Sequence, residues 1–208
     1  MDTLVTRTAV DTSKEPAPFV QVRNFLDAGL HGQILDLALR HQAEFSASSV
    51  VTNDQKYRRS RVLFDLEECG DLMAEELRKI LPWVYQRLNI TPSSEGRLER
   101  QMTAHNDGDY FKVHNDNGSP DTADRVISFV YYCNRLPKRF SGGELRLYDS
   151  RVENGYWVAA DTFETVDPIN NSVVFFLSRL LHEVMPIQCA SRAFADSRFT
   201  FNGWVRGI

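Results

Sequence analysis

Two different periods of hydrophobic and polar alternation run along this chain, and one gives way to the other after the polar stretch TPSSEG, residues 91–96. Before it, residues 1–17 form a polar lead-in ending in EPAP, and FVQVRNF (19–25) reads as a short strand. From Asp27 to about Phe45, apolar residues return at helical spacing through Leu30, Ile34, Leu37 and Leu39. A second stripe, Leu66, Cys69, Met73, Leu77, Ile80, Val84 and Leu88, predicts a helix over 66–88. Pro82 within it lacks the N–H of a regular turn and is expected to bend or interrupt the helix. Between the two helices, SSVVTNDQKYRRSRVLF (48–64) reads as a hairpin or a pair of strands turning at Asn53 and Asp54.

Beyond residue 96 the helical period disappears. RLERQMTAH, RVISFVYYCN, GELRLYD, GYWVAA, NSVVFFLS, HEVMPIQC and RFTFNGWVR are short β-rich runs separated by Gly, Pro, Asn and Asp. So many short strands imply a sandwich or barrel. The expected architecture is mainly β with N-terminal helices, in a single domain over 1–208. Residues 1–95 are its helical support region and 96–206 its β core.

Composition narrows the classes of function. At 208 residues the chain can bury a core without disulfide help, and its three cysteines, Cys69, Cys133 and Cys189, form no CxxC pair. A net charge of -4 gives no electrostatic reason to expect a nucleic acid as partner. No apolar run reaches the roughly 20 residues of a membrane span, and the N-terminus carries no apolar core of signal-peptide length. A reducing, cytoplasmic setting is expected, one that keeps ferrous iron available.

The chemistry concentrates in HNDGDYFKVHNDNGSP, residues 105–120. On a strand, residues i and i+2 share a face, so His114 and Asp116 can reach one point in space. His182, just after the apolar strand 173–177, is the natural third ligand, since a β-sandwich can lay a distant strand beside the first. Two His and one carboxylate form a facial triad that leaves positions open on Fe(II). Sixteen residues further on, Arg198 and Thr200 share one strand face, a guanidinium and a hydroxyl suited to one carboxylate. A dicarboxylate such as 2-oxoglutarate could grip iron with one end and Arg198 with the other. Arg192 is a rival anchor, but Phe194, two residues beyond it, supplies no hydroxyl. Taken singly, His114 and Asp116 also fit a solvated loop, and His182 a surface histidine.

GDYFKVHND, YYCNRLPKRFSGGELRLYD and NSVVFFLSRLLHEVMPI…SRFTFNGWVR together resemble the Fe(II)/2-oxoglutarate dioxygenases, in particular their prolyl-4-hydroxylase-like branch, over about residues 96–206. The resemblance implies a double-stranded β-helix (jelly-roll, cupin-like) core buttressed by two helices. It implies His114, Asp116 and His182 as iron ligands, Arg198 as the anchor of the distal carboxylate and Thr200 as its supporting hydroxyl. Tyr132 matches a tyrosine that touches the cosubstrate in part of the family. His105 stands where many relatives have a Tyr, so its contact is with cosubstrate or with substrate. The implied reaction consumes 2-oxoglutarate and O2, with ascorbate as a candidate reductant. It hydroxylates an unactivated C–H and releases succinate and CO2. Because Asp116 is present, halogenation is disfavoured.

The branch points to a prolyl residue of a protein or peptide. A free amino acid or natural-product small molecule remains an alternative, as do a non-catalytic jelly-roll binding module and a zinc hydrolase. Nucleic-acid dealkylation is disfavoured by the acidic balance and by Trp204 where those enzymes carry an Arg. Residues 117–123 are expected to form a mobile lip over the site. YRRSR (57–61) could recognise an acidic group or form an exposed strand face, and the Gly142–Gly143 pair reads as a structural turn. His31 and His41 fall on the first helix and receive no role.

Overall fold

The computed structural model describes residues 14–48, 57–64, 67–91, 96–154 and 156–207. In chain order its elements are β1 (Phe19–Arg23), α1 (Ala28–Arg40), β2 (Ser46–Ala47), β3 (Arg58–Arg59), β4 (Arg61–Leu63), α2 (Glu67–Arg87), β5 (Arg97–His105) and β6 (Tyr110–His114). They continue with β7 (Arg125–Cys133), β8 (Ser141–Gly142), β9 (Leu145–Glu153), β10 (Tyr156–Val166), β11 (Ser172–Leu177), β12 (His182–Val184), β13 (Ile187–Gln188) and β14 (Arg198–Arg206).

Two antiparallel sheets face each other in a jelly roll. The larger runs β1-β11-β7-β14-β5-β4-β2 and the smaller β10-β9-β12-β6-β3, with β8 and β13 paired beside them. Strand alternation explains how the larger sheet is covered on both faces. Ile127, Phe129, Tyr131 and Cys133 of β7, with Phe199, Phe201 and Val205 of β14, point to the helices and pack on Ile34, Leu37, Met73, Leu77 and Val84. The intervening residues point the other way: Tyr132, Val174 and Phe176 meet Leu145, Leu147 and Val166 of the smaller sheet. SVVFFL in β11 is apolar on both faces because both are buried. Ser128, Arg198, Thr200 and Thr103 are polar residues buried on the inner face.

Both helices form for the reasons their periodicity gives. Asp27 caps α1, its side chain accepting from the N–H groups of Gly29 and Leu30. Asn89, at φ 53°, ends α2 with the Ile90 N–H on the Tyr85 carbonyl at 2.9 Å. Pro82 does not interrupt α2, which runs unbroken through it. Pro82 and Arg78 lie on the solvent side, so the carbonyl left without an amide partner meets water.

The 48–64 stretch departs from a simple hairpin. β2 and β4 pair antiparallel on the edge of the larger sheet, whereas β3 pairs with β6 in the smaller one, so the chain changes sheets at Ser60. Asn53 and Asp54 lie outside the described residues. All three cysteines are buried, and none forms a disulfide among the described residues. No helix is long and apolar enough to cross a membrane among the described residues.

Candidate metal centre and its pocket

Register brings the three expected ligands together. β12 lies antiparallel to β6 with His182 opposite His114, and their ring centroids are 4.1 Å apart. Asp116 is not on the strand: β6 ends at His114, and Asp116 sits on the bend beyond it, its N–H bonded to the Ser178 carbonyl at 2.9 Å. The turn after β11, rather than strand alternation, thus aims the carboxylate. Asp116 Oδ1 is 3.7 Å from His114 Nε2 and Oδ2 is 3.4 Å from His182 Nε2. One ligand atom from each residue lies within 4.8 Å of the others, a spacing that admits a metal ion.

Local hydrogen bonds orient the set. His114 Nδ1 is 2.7 Å from the Lys112 carbonyl and His182 Nδ1 is 2.9 Å from the Leu180 carbonyl. A carbonyl only accepts, so each Nδ1 carries the proton and each Nε2 lone pair faces the centre. Burial, then the neighbouring His182 ring, pushes His114 down to about 3, so it is neutral at ordinary pH. Burial would raise Asp116, but the two imidazoles, the Ser128 hydroxyl and the Trp204 indole outweigh it and leave the carboxyl below its usual range. Ser128 Oγ donates to Asp116 Oδ2 at 2.6 Å. Phe111 stacks on His114 with centroids 3.5 Å apart.

The same pocket continues to Arg198, buried on β14. Its strand neighbour is His105 and its guanidinium lies 4.9 Å from the Tyr132 ring centroid. Arg198 Nε, the Tyr132 hydroxyl and both His105 ring nitrogens are buried without a hydrogen-bond partner of ordinary geometry. Such groups are costly to leave unpaired; Arg198 and His105 line the pocket and call for a polar ligand, whereas the Tyr132 hydroxyl lies behind the lining, within reach of the Arg198 guanidinium. Burial, then the positive charges of Arg198 and Arg58, holds His105 well below its normal range. Thr200 lines the pocket and its hydroxyl reaches Asn202 Oδ1 at 3.2 Å. Gly143 sits at φ +73°, where a Cβ would come within 2.7 Å of Arg198 Cδ. The glycine turn read as structural therefore also makes room for the guanidinium.

Other expected positions fall elsewhere. Arg192 is exposed at φ 52° and pairs with Asp107 at 2.9 Å, so it does not rival Arg198. Asp107 and Asp109, which made the 105–120 stretch conspicuous, accept from the N–H groups of Cys189 and Asn106 and pin the β5–β6 turn. Residues 117–123, expected as a mobile lip, contain a 3-10 turn at Pro120–Thr122 closed by reciprocal Ser119–Thr122 capping bonds, away from the pocket lining. Arg206 ties down Asp124 and the Asp121 carbonyl behind it. Ser128 and Phe111 line the pocket without having been singled out as site residues, and Arg58 of the YRRSR stretch lines it too. Ser128 had a signal, as a lone hydroxyl at an inward position between apolar neighbours.

A sequence model of the 2OG-Fe(II) oxygenase superfamily matches residues 100–206. The chain belongs to this superfamily, and its resemblance to the prolyl-4-hydroxylase-like branch is supported by the following likenesses. An uncharacterized PKHD-type hydroxylase of Synechocystis sp. is 44% identical over 193 residues, 92% of this chain and 64% of that protein, so the chain spans less than two thirds of that relative's length. A prolyl-4-hydroxylase from Pseudomonas putida superposes with a TM-score of 0.65 at 21% identity, covering 92% of this chain and 94% of that one. A prolyl hydroxylase from Trichoplax adhaerens, solved with a hypoxia inducible factor oxygen degradation domain peptide fragment, gives 0.62 at 20% identity, covering 91% and 83%. The two structures share the fold. Membership implies Fe(II), 2-oxoglutarate and O2. The residues present fit them: two imidazole lone pairs and a carboxylate converge at one end of the pocket, and a buried guanidinium with an unpartnered Nε stands beside the unpartnered His105 ring at the other.

Proposed function

We propose that the protein is an Fe(II)- and 2-oxoglutarate-dependent hydroxylase of a prolyl residue in a peptide or protein. His114 Nε2, His182 Nε2 and an Asp116 oxygen would hold the ion. Arg198 would take the distal carboxylate of 2-oxoglutarate, with the Tyr132 hydroxyl and, once turned from Asn202, the Thr200 hydroxyl as supporting donors. The observation that carries this reading is the unpartnered Arg198 Nε and His105 ring in the same pocket as the His-Asp-His cluster. When bound, these groups supply oxidation of a C–H by O2, one oxygen atom entering the product and the other the succinate left after CO2 is lost.

This chain's residues contribute placement and charge. Ser128 and the Ser178 carbonyl fix Asp116, the Lys112 and Leu180 carbonyls set both imidazole tautomers, and Phe111 shields one face of His114 from water. His105 can donate one bond from neutral imidazole, and its place opposite Arg198 supports the cosubstrate as its partner. The prolyl assignment draws on the solved relatives named prolyl hydroxylases, one of them bound to a peptide.

The deciding experiment is an anaerobic visible titration of apo-protein with Fe(II) and then 2-oxoglutarate. A charge-transfer band is expected that vanishes in Asp116→Ala and needs far more 2-oxoglutarate in Arg198→Ala. Absence of the band with stoichiometric metal bound would replace the enzyme by a jelly-roll binding module. Mass spectrometry of prolyl peptides, looking for gain of one oxygen atom, then tests the substrate.

A further inference from the structure

The pocket holds a second arginine that the cosubstrate reading does not use. Arg58, on β3, lines it from the smaller sheet, opposite the sheet that carries Arg198. Its guanidinium carbon lies 4.7 Å over the Phe111 ring, which also stacks on His114, so Arg58 reaches the pocket across Phe111 from the metal centre. Nε donates to Ser60 Oγ at 3.0 Å, and no carboxylate lies within ion-pair distance of Arg58 among the described residues. The nearby arginines differ: Arg59 pairs with Asp109 and Arg146 with Glu183. Burial, only partly opposed by Asp116, pulls Arg58 down to about 10, so it stays cationic at neutral pH in a site that has stripped away much of its water.

Charge balance shows what is missing. Among the described residues that line the pocket, Asp116 is the single carboxylate against two guanidiniums, with Glu144 acting on Arg198 from outside the lining. A divalent ion raises the excess to three positive charges, and a dianion held between that ion and Arg198 leaves one, which resides on Arg58. A guanidinium with Nε already engaged still presents two terminal nitrogens, the geometry that binds a carboxylate in a fork.

We propose that Arg58 is a substrate-binding residue and that the substrate carries a carboxylate close to the oxidised C–H, an inference that rests on the cosubstrate reading above. The carboxylate is either the free α-carboxylate of an amino acid or C-terminal residue, or the side chain of an acidic residue next to the target.

The test uses the full chain loaded with Mn(II) and 2-oxoglutarate, which binds without turning over, and reads dissociation constants by calorimetry. One arm compares N-acetyl amino acids, N-acetyl-L-proline among them, as free acids and as amides. The other compares blocked Glu-Pro and Pro-Glu peptides with their Gln counterparts. At least one acid should bind wild type about tenfold tighter than its neutral partner, the worth of one charged hydrogen-bonded pair. That preference should vanish in Arg58→Gln and survive in part in Arg58→Lys, with affinity for 2-oxoglutarate unchanged in both. The arm that shows the preference identifies the source of the carboxylate. No acid-over-neutral preference in any pair, including no binding at all, overturns the proposal, as does a preference that persists in Arg58→Gln. Parallel loss of 2-oxoglutarate affinity in Arg58→Gln also overturns it, by moving Arg58 to the cosubstrate. Failure of wild type to bind 2-oxoglutarate in the presence of Mn(II) instead removes the reading beneath it.

Discussion

At the scale of single residues, the site depends on neighbours that touch no ligand. Ser128 restrains Asp116 through a 2.6 Å bond and shares a 3.0 Å contact with Ser178. Ser128→Ala should weaken metal binding by roughly 10- to 100-fold, as is usual when a ligand loses its supporting bond, while leaving the fold intact. Competition titration with Co(II) would measure it, and wild-type affinity would show that the Ser178 carbonyl alone aims the carboxylate. Gly143 gives a second handle. An alanine there meets both the strain of positive φ, about 1–2 kcal/mol, and the side chain of Arg198. Gly143→Ala should therefore raise the 2-oxoglutarate requirement in the charge-transfer titration with metal affinity unchanged. The two effects separate the ends of the pocket.

At the scale of elements, α1 is locked to the larger sheet by a polar chain as well as by packing. His31 Nδ1 is 2.6 Å from the Tyr131 hydroxyl, which bonds Asn171 at 3.1 Å, while the Asn170 amide meets His31 Nε2 at 3.2 Å. This is the role His31 has in the structure. Burial lowers its pKa from 6.5, so the unfolded chain takes up the proton first on acidification. The His31 contribution is complete above about pH 6.5 and is lost as pH falls towards the lowered native value. The stability gap between wild type and His31→Gln should narrow between about pH 7.5 and pH 5 in urea unfolding. A gap independent of pH would mean that folding leaves the His31 pKa where it is in the unfolded chain.

At the scale of the whole molecule, the helices and the jelly roll share one core: Phe129, Phe175, Phe199 and Phe201 of the sheet pack with Ile34, Leu37, Met73 and Leu77. We propose that the chain is a single cooperative domain, its helices having no other surface against which to bury their apolar stripes. Phe175→Ala, which empties the middle of this layer, should cost about 3–5 kcal/mol. Unfolding followed by helical circular dichroism and by tryptophan fluorescence should give coincident transitions in wild type. Two separated transitions would divide the chain near residue 96.

The strands were legible because period-2 alternation survives wherever one face of a sheet is apolar. The helices were legible because their stripes are long. His114, Asp116, His182 and Arg198 could be read as a set from the spacing of His114 and Asp116, that of Arg198 and Thr200, and the family resemblance, although Asp116 is aimed by a bend and not by strand alternation. YRRSR offered both a receptor for an acidic group and an exposed strand face, and only the change of sheet at Ser60 turns Arg58 inward. The lip over 117–123 misled because Gly, Ser, Pro and Asp mark both loose loops and capped turns, and long-range partners such as Arg206 distinguish them. The sequence by itself determined local periods, turn chemistry and the types of group available for binding. The tertiary structure decided which groups face one another, because strand register and the choice of sheet arise from contacts between residues far apart in the chain: His182 opposite His114, Arg198 beside His105, and Arg58 across Phe111 from the metal centre.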